Sequence, residues 1–302
     1  MLTRRRFLMI SAALAAAPGA GRAAPLHVET GLAMGAQVTL RLSHPEAPAL
    51  AARAMAEIAR LEAVFSLYLS DSAIVRLNAS GVLDEPPFEL LECLSVASAV
   101  HHASGGVFDP TVQPLWRALA AAAEQGRALS YEERATALAR TGWGGVTLEA
   151  DRISLRPGMA LTLNGIAQGY IADRVAALLA AEGLTDSLID TGELVAIGGR
   201  PEGGPWQVTL PQDSKIGLKS RALATSAPLG MTFGNDARTS HILDPRTGLP
   251  VSPDWQAISI SAPTAAVADA VSTAACLMKV KAQITELCDS LGDVRIESAI
   301  SF

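Results

Sequence analysis

The sequence predicts an α+β fold, with a mixed or antiparallel sheet as its core and helices packed on it. Three observations lead there. The chain has 302 residues, 49% of them hydrophobic and 18% charged, which is enough apolar surface for a substantial core. Segments with strand-like alternation and segments with helical period both occur. They do not follow the strict βαβα order of a parallel, doubly wound sheet.

Residues 1–24 are set aside first. The stretch "TRRRFLMISAALAAAPGAGRAAP" reads as a targeting segment. Arg4 and Arg5 follow Thr3, with Phe7 and Leu8 next, which resembles a twin-arginine export signal read by a receptor. The apolar run from Phe7 to Ala17 is too short to span a bilayer, and Gly21, Ala23 and Ala24 suit a signal peptidase. Residues 25–302 are then expected to form one domain, exported to the periplasm. No later uncharged run reaches the ~20 residues of a membrane span, so no direct membrane insertion is expected. Residues 1–24 carry Arg4, Arg5, Arg6 and Arg22 and no acid, so their removal takes the net charge from −6 to −10. That balance argues against nucleic acid and anionic membranes as partners. Cys93, Cys276 and Cys288 form no Cys-x-x-Cys pair, and buried free thiols with at most one disulfide are expected.

The elements follow in order. "HVETGLAMGAQVTLRLS" alternates as a strand, with a glycine interruption near Met34 and Gly35. "PEAPALAARAMAEIARLEAVFS" is helical, with Met55, Ile58, Leu61 and Val64 on one face. "SDSAIVRLNAS" is a turn and a short helix. "PPFELLECLSVASAVHHAS" is a helix entered through Pro86 and Pro87. "GGVFDPTVQPLW" reads as a loop, Tyr131 to Arg140 as a helix, and "GGVTLEADRISLRP" as a β-hairpin. "MALTLNG" reads as a strand leading into "IAQGYIADRVAALLAAEGL", a helix ended by Gly183. "DSLIDTGELVAIGG", "PWQVTLP" and "WQAISISAP" read as strands, and "TAAVADAVSTAACLMK" as a helix. The tail holds a helix and a last strand.

Four stretches carry candidate chemistry. In "LNGIAQGYIAD", Gly165 and Gly169 bracket a helix start, where free N–H groups attract anions. A glycine placed for close packing explains the same pattern. In "ADAVSTAA", Asp269 and Thr273 stand at i and i+4, so their oxygens share a face and suit a hard cation. Read alone, Asp269 is equally a solvated surface acid and Thr273 a hydroxyl bonded back to its helix. In "SHILDPRTGLP", His241 borders a tight turn and is the best acid–base candidate among the five histidines. His101 and His102 close a helix, where the C-terminal dipole accounts for them. In "SGGVFDPTV", Gly105 and Gly106 allow close backbone approach, Phe108 offers a flat face and Asp109 an acceptor. Tyr68 is either a ring-stacking residue or core.

Together and in order, "MGAQ", "SLYLSDSAIVRLN", "SGGVFDPTV", "NGIAQGY", "ATSAPLG", "HILDPRTG" and "ADAVSTAA" resemble the ApbE family of flavin transferases. The resemblance runs from Met34 to Met278. It implies a two-lobed architecture with the flavin site between the lobes, FAD as substrate and Mg²⁺ as metal. The implied reaction cuts the FAD pyrophosphate, releases AMP and leaves FMN on a Thr or Ser of an acceptor flavoprotein. By the same resemblance His241 is catalytic, while Gly165, Asp269 and Thr273 hold the metal. Met34, Tyr68, Val107, Phe108, Asp109, Thr162, Gln168 and Leu243 match flavin-contacting positions. The exported NosX-type maturation factors share this organisation, which would make a respiratory membrane protein such as NosR an acceptor.

Five positions depart from the family pattern. Gln168 stands where a Lys is usual, Thr162 where an Asp is, Asn164 and Ala227 where glycines are, and Ala36 where a Thr is. A flavin carrier without transferase activity, or a pyrophosphatase giving free FMN and AMP, are the competing readings.

Overall fold

The computed structural model describes residues 25–233, 239–252 and 254–302. The export signal read at residues 1–24 lies outside them.

Strands β1 (His27–Ala33) and β2 (Ala36–Leu42) pair in one antiparallel hairpin. The interruption read from sequence is its turn, with Met34 and Gly35 at φ of 48° and 72°. Helix α1 (Ala47–Phe65) then lays Leu50, Ala54, Ile58 and Leu61 into the core at helical spacing. From Ser66 the chain leaves the sheet and builds a helical insertion. It consists of α2 (Ala73–Ser80), β3 (Val82–Asp84), α3 (Phe88–Ala103), α4 (Gln113–Glu124), α5 (Tyr131–Leu138), β4 (Val146–Leu148) and β5 (Arg152–Leu155). The chain returns through α6 (Ala167–Ala181) and continues with β6 (Ser187–Asp190), β7 (Leu194–Ile197), β8 (Trp206–Thr209), β9 (Lys215–Leu218) and β10 (Ala222–Ser226). Four two-residue strands follow: β11 (Thr232–Phe233), β12 (Thr239–Ser240), β13 (Leu243–Asp244) and β14 (Leu249–Pro250). Strand β15 (Trp255–Ala262), helices α7 (Ala265–Ala275) and α8 (Lys281–Ser290), and strand β16 (Arg295–Ser301) complete the order.

The main sheet has seven strands in the order β1-β2-β6-β7-β10-β15-β16, and every neighbouring pair is antiparallel. Its residues alternate between two faces, as the pleat requires. Ile189, Val195, Ala222 and Ala224 join the large core shared with α1, α6 and α7. Leu188, Leu194, Ala196 and Leu223 face the other way, under Trp206, Val208 and Leu218 of the β8–β9 hairpin. The insertion adds a small three-stranded sheet, β3-β5-β4. Its Leu77, Leu94 and Ile153 belong to the same continuous core, so the two lobes are fused rather than hinged. The three cysteines are buried and free. Among the described residues, no helix is long and apolar enough to cross a membrane.

Two local expectations are corrected. The segment "GGVFDPTVQPLW" is not all loop, because α4 begins inside it at Gln113. Pro114 lies in the first helical turn, where a missing N–H costs nothing, so this proline starts a helix. "MALTLNG" is not a strand. Asn78 of α2 takes both main-chain groups of Leu161, donating to its C=O (2.8 Å) and accepting from its N–H (2.6 Å). The Thr162 N–H donates to the Pro110 carbonyl at 2.8 Å. Those bonds replace a sheet ladder and leave the segment extended between α2 and α6. Strand β9 has no counterpart among the expected strands.

Gly169 sets how closely α6 and α7 approach. A Cβ there would overlap the Ala265 carbonyl and come within 2.8 Å of the Ala266 nitrogen. Backbone cannot yield as a side-chain tip can. Gly169→Ala is therefore expected to cost at least about 1–3 kcal/mol by overpacking. A urea midpoint equal to wild type would refute this.

Candidate functional site

Helix α7 lacks a cap of its own: Thr264 precedes it with no side-chain cap bond. Asp173 of α6 supplies one from outside, accepting the N–H groups of Ala265 (2.7 Å) and Ala266 (2.9 Å). Burial pushes the Asp173 carboxyl up to about 6, while those two bonds oppose the shift. With α7 held in this way, Asp269 and Thr273 face the start of α6.

Asp269 is 4% exposed. Its carboxylate accepts the Gly169 N–H of the first α6 turn at 3.4 Å. Burial pushes its pKa up to about 7, with Asp173 adding to the rise and the Gly169 bond resisting it. So the helix start singled out in "LNGIAQGY" is occupied by an internal carboxylate. Gly165 lies against Thr273: a Cβ there would stand 3.0 Å from Thr273 Oγ1 and 3.2 Å from its Cγ2. The structure thus brings Gly165, Asp269 and Thr273 together, with Gln168 beside them. The Gln168 carbonyl accepts from Thr191 Oγ1 (3.1 Å), and its amide lies over Gly192, 3.0 Å from where a Cβ would be.

Sequence reading missed the surroundings of this node. Glu193, also buried, faces Asp269 and Asp190; burial and those carboxylates hold its carboxyl well above the usual range, against the Thr225 N–H bond. Among the described residues none of Asp269, Glu193 and Asp173 is ion-paired. Gln168 adds no charge where the family pattern has a lysine. With no counter-charge these buried carboxyls favour their protonated forms, and a cation bound here would favour the ionised ones. No group of three or more His, Cys, Asp and Glu side chains among the described residues makes a metal cage. A cation here would rest on one carboxylate, one hydroxyl and main-chain oxygen, an all-oxygen set suited to Mg²⁺. The residues present fit the group.

His241 is fixed from a different direction. Strand β10 ends at Ser226, whose Oγ lies 3.3 Å from Thr273 Oγ1. The loop that follows holds the histidine: Met231 O accepts from His241 Nδ1 (2.9 Å), and Ser240 Oγ donates to Pro228 O (2.6 Å). A carbonyl only accepts, so Nδ1 carries the ring proton, which makes Nε2 the acceptor nitrogen of the neutral ring. Burial lowers the His241 pKa below its usual value, against the bonds to Met231 and Pro228. The imidazole is thus neutral near pH 7. The turn after it is closed by Asp244, which accepts from the N–H groups of Arg246 (2.9 Å), while its carbonyl takes the Gly248 N–H (2.8 Å).

The candidate flavin residues are more scattered. Met34 occupies the β1–β2 turn, its N–H on the Glu62 carboxylate at 2.9 Å. Tyr68 is 75% exposed, with its N–H on Ser66 Oγ, so it is not core. Val107 and Phe108 are buried in the main core, so Phe108 does not offer a ring face as expected. What this segment presents is main chain, and the Phe108 carbonyl already accepts from His101 Nδ1 at 2.8 Å. That bond gives His101 a role beyond the helix dipole. Asp109 accepts from Thr111 N–H (2.8 Å) and Oγ1 (2.6 Å). Thr162 Oγ1 accepts the Asn164 N–H at 3.3 Å. The Leu243 side chain is buried against Leu115 and Ala137, away from the acidic node.

Solved structures that share this architecture include a flavin transferase. The Pseudomonas stutzeri flavinyl transferase ApbE, in its apo form, aligns with TM-score 0.80 and 27% identity over 92% of this chain and 94% of that one. An ApbE protein from Thermotoga maritima aligns with TM-score 0.80 and 27% identity over 90% and 94%. The chain belongs to the ApbE family, whose sequence model matches residues 34–296. Among curated relatives, the FAD:protein FMN transferase of Klebsiella pneumoniae is 27% identical over 249 residues, 76% of this chain and 71% of that protein. The Escherichia coli K12 protein of the same name is 28% identical over 229 residues, 70% of this chain and 65% of its own length.

Proposed function

We propose that this protein is an FAD:protein FMN transferase, carrying FMN from FAD to a Thr or Ser hydroxyl of a partner flavoprotein and releasing AMP. The observation that carries this is the convergence of Gly165, Asp269 and Thr273 around a buried carboxyl with no ion pair. Asp269, the Thr273 hydroxyl and the Gly165 carbonyl would hold Mg²⁺, which when bound neutralises charge on the pyrophosphate. His241 Nε2 accepts the proton of the acceptor hydroxyl as its oxygen attacks the FMN phosphorus. The bond from that phosphorus to the bridging oxygen breaks, and AMP leaves with that oxygen. The Nδ1–H bond to Met231 keeps Nε2 aimed and unprotonated until then. The twin-arginine-like start supports export, which would place the acceptor among periplasmic or membrane-bound electron-transfer proteins.

The test incubates the chain from Pro25 with FAD, Mg²⁺ and acceptor domains. Metal-dependent AMP together with flavin fluorescence fixed to the acceptor supports the transferase. Free FMN with AMP would replace it with a pyrophosphatase, and uncut bound FAD with a carrier.

Cation affinity should follow the Asp269 titration. A carboxyl raised to about 7 is protonated below that pH, and Mg²⁺ must displace the proton. Apparent affinity should be about tenfold weaker at pH 6 than at pH 8, then level off. Isothermal titration calorimetry at the two pH values, without FAD, reads this directly; equal affinities would refute it.

A further inference from the structure

We infer that Ser226 is a positioning residue that aims the lone pairs of Thr273 at the cation position, an inference resting on the function proposed above. Three hydroxyls form a line. Ser272 Oγ bonds the Asp269 main-chain carbonyl at 3.0 Å. Ser226 Oγ lies 2.7 Å from Ser272 Oγ and 3.3 Å from Thr273 Oγ1.

Each hydroxyl has one proton and two lone pairs. The carbonyl cannot donate, so the proton of Ser272 goes to Asp269 O. Ser226 must then donate to Ser272, because Ser272 has no proton left. Thr273 in turn must donate to Ser226. The direction of every proton in the line follows from one carbonyl at its end. Thr273 is left with its lone pairs turned away from Ser226, and Gly165 approaches so closely that a Cβ there would stand 3.0 Å from Thr273 Oγ1.

A helical threonine ordinarily turns its hydroxyl back to a carbonyl one turn earlier. Here Ser226, delivered by β10, competes for that proton. Ser226 touches no ligand in this scheme; it acts through Thr273, as outer-shell partners orient metal ligands elsewhere.

The experiment is Mg²⁺ calorimetry on the full metal-free chain without FAD, comparing wild type with Ser226→Ala, Ser226→Thr, Ser272→Ala and Thr273→Ala. Wild type should bind one ion. Ser226→Ala should weaken binding by about 10–100-fold, the range for outer-shell partners. Ser226→Thr keeps the hydroxyl and should restore affinity. Ser272→Ala, which frees the Ser226 proton to turn onto Thr273, should weaken it by about tenfold. Thermal midpoints of the metal-free chain should stay at wild-type values in both Ser226 variants, so that a general packing defect is recognised. If Ser226→Ala binds as wild type while Thr273→Ala does not, the positioning role is wrong and the metal site stands. If Thr273→Ala also binds as wild type, or wild type does not bind, the metal site itself is wrong.

Discussion

Asp269→Asn is expected to lower Mg²⁺-dependent FMN transfer by at least about 10³-fold, because a bound cation supplies several kcal/mol of charge stabilisation and each 1.36 kcal/mol is tenfold. The swap is nearly isosteric and leaves an oxygen able to accept the Gly169 N–H, so α6 and α7 should stay docked. Its effect on stability should have the opposite sign to its effect on activity. The Asp269 pKa is raised by folding, so the wild-type protein loses stability as pH rises through about 7. A neutral amide has no such loss. Without metal, the variant should melt higher than wild type at pH 8, and the difference should shrink toward pH 5. Single-turnover AMP release and melting at the two pH values separate the effects. Transfer within tenfold of wild type would remove Asp269 from the metal site.

His241→Ala should cost about 10²- to 10⁴-fold in transfer, the usual contribution of a positioned general base. FAD and Mg²⁺ affinity should be unchanged, since the bond that holds the histidine is to the Met231 carbonyl and not to Asp269 or Thr273. The wild-type rate should fall on the acid side as Nε2 becomes protonated, at a pH below the ordinary histidine value because burial favours the neutral ring. The variant should lack that limb. Saturating Mg²⁺ at the proposed site would hold Asp269 ionised, so that its titration would not mask the limb. A variant that kept the same acid limb would assign it to another group.

Long amphipathic segments were legible because they report burial directly. Helices α1 and α3 and the β15 strand fall where their patterns place them. The parts that differ from expectation obey local rules that a partner far along the chain overrides. Met159 to Gly165 has strand character, yet Asn78 diverts its main-chain bonds. Pro114 reads as a loop former until the helix it starts is seen. In the site, Asp269, Thr273 and Gly165 were legible through the family resemblance, and the i,i+4 spacing of the first two was visible without it. Asp173, Glu193 and Ser226 were not, because an ordinary acid or serine in sequence shows neither its burial nor its partner across 46 to 96 positions. Phe108 and Leu243 differ: their motif positions were legible, but the burial of both side chains in apolar clusters was not.

The capping of α7 by Asp173, 92 residues before Ala265, bears on the order in which the molecule assembles. Helix nucleation is the slow, unfavourable part of helix growth, and the Thr264 side chain at the start of this helix makes no cap bond. During synthesis α6 emerges first, so its carboxylate is already in place when Ala265 leaves the ribosome. A circular permutant that begins between the two helices would reverse the sequence of events, and α7 would wait for the last-made part of the chain. The natural order of the chain thus provides a template for the helix that carries Asp269 and Thr273.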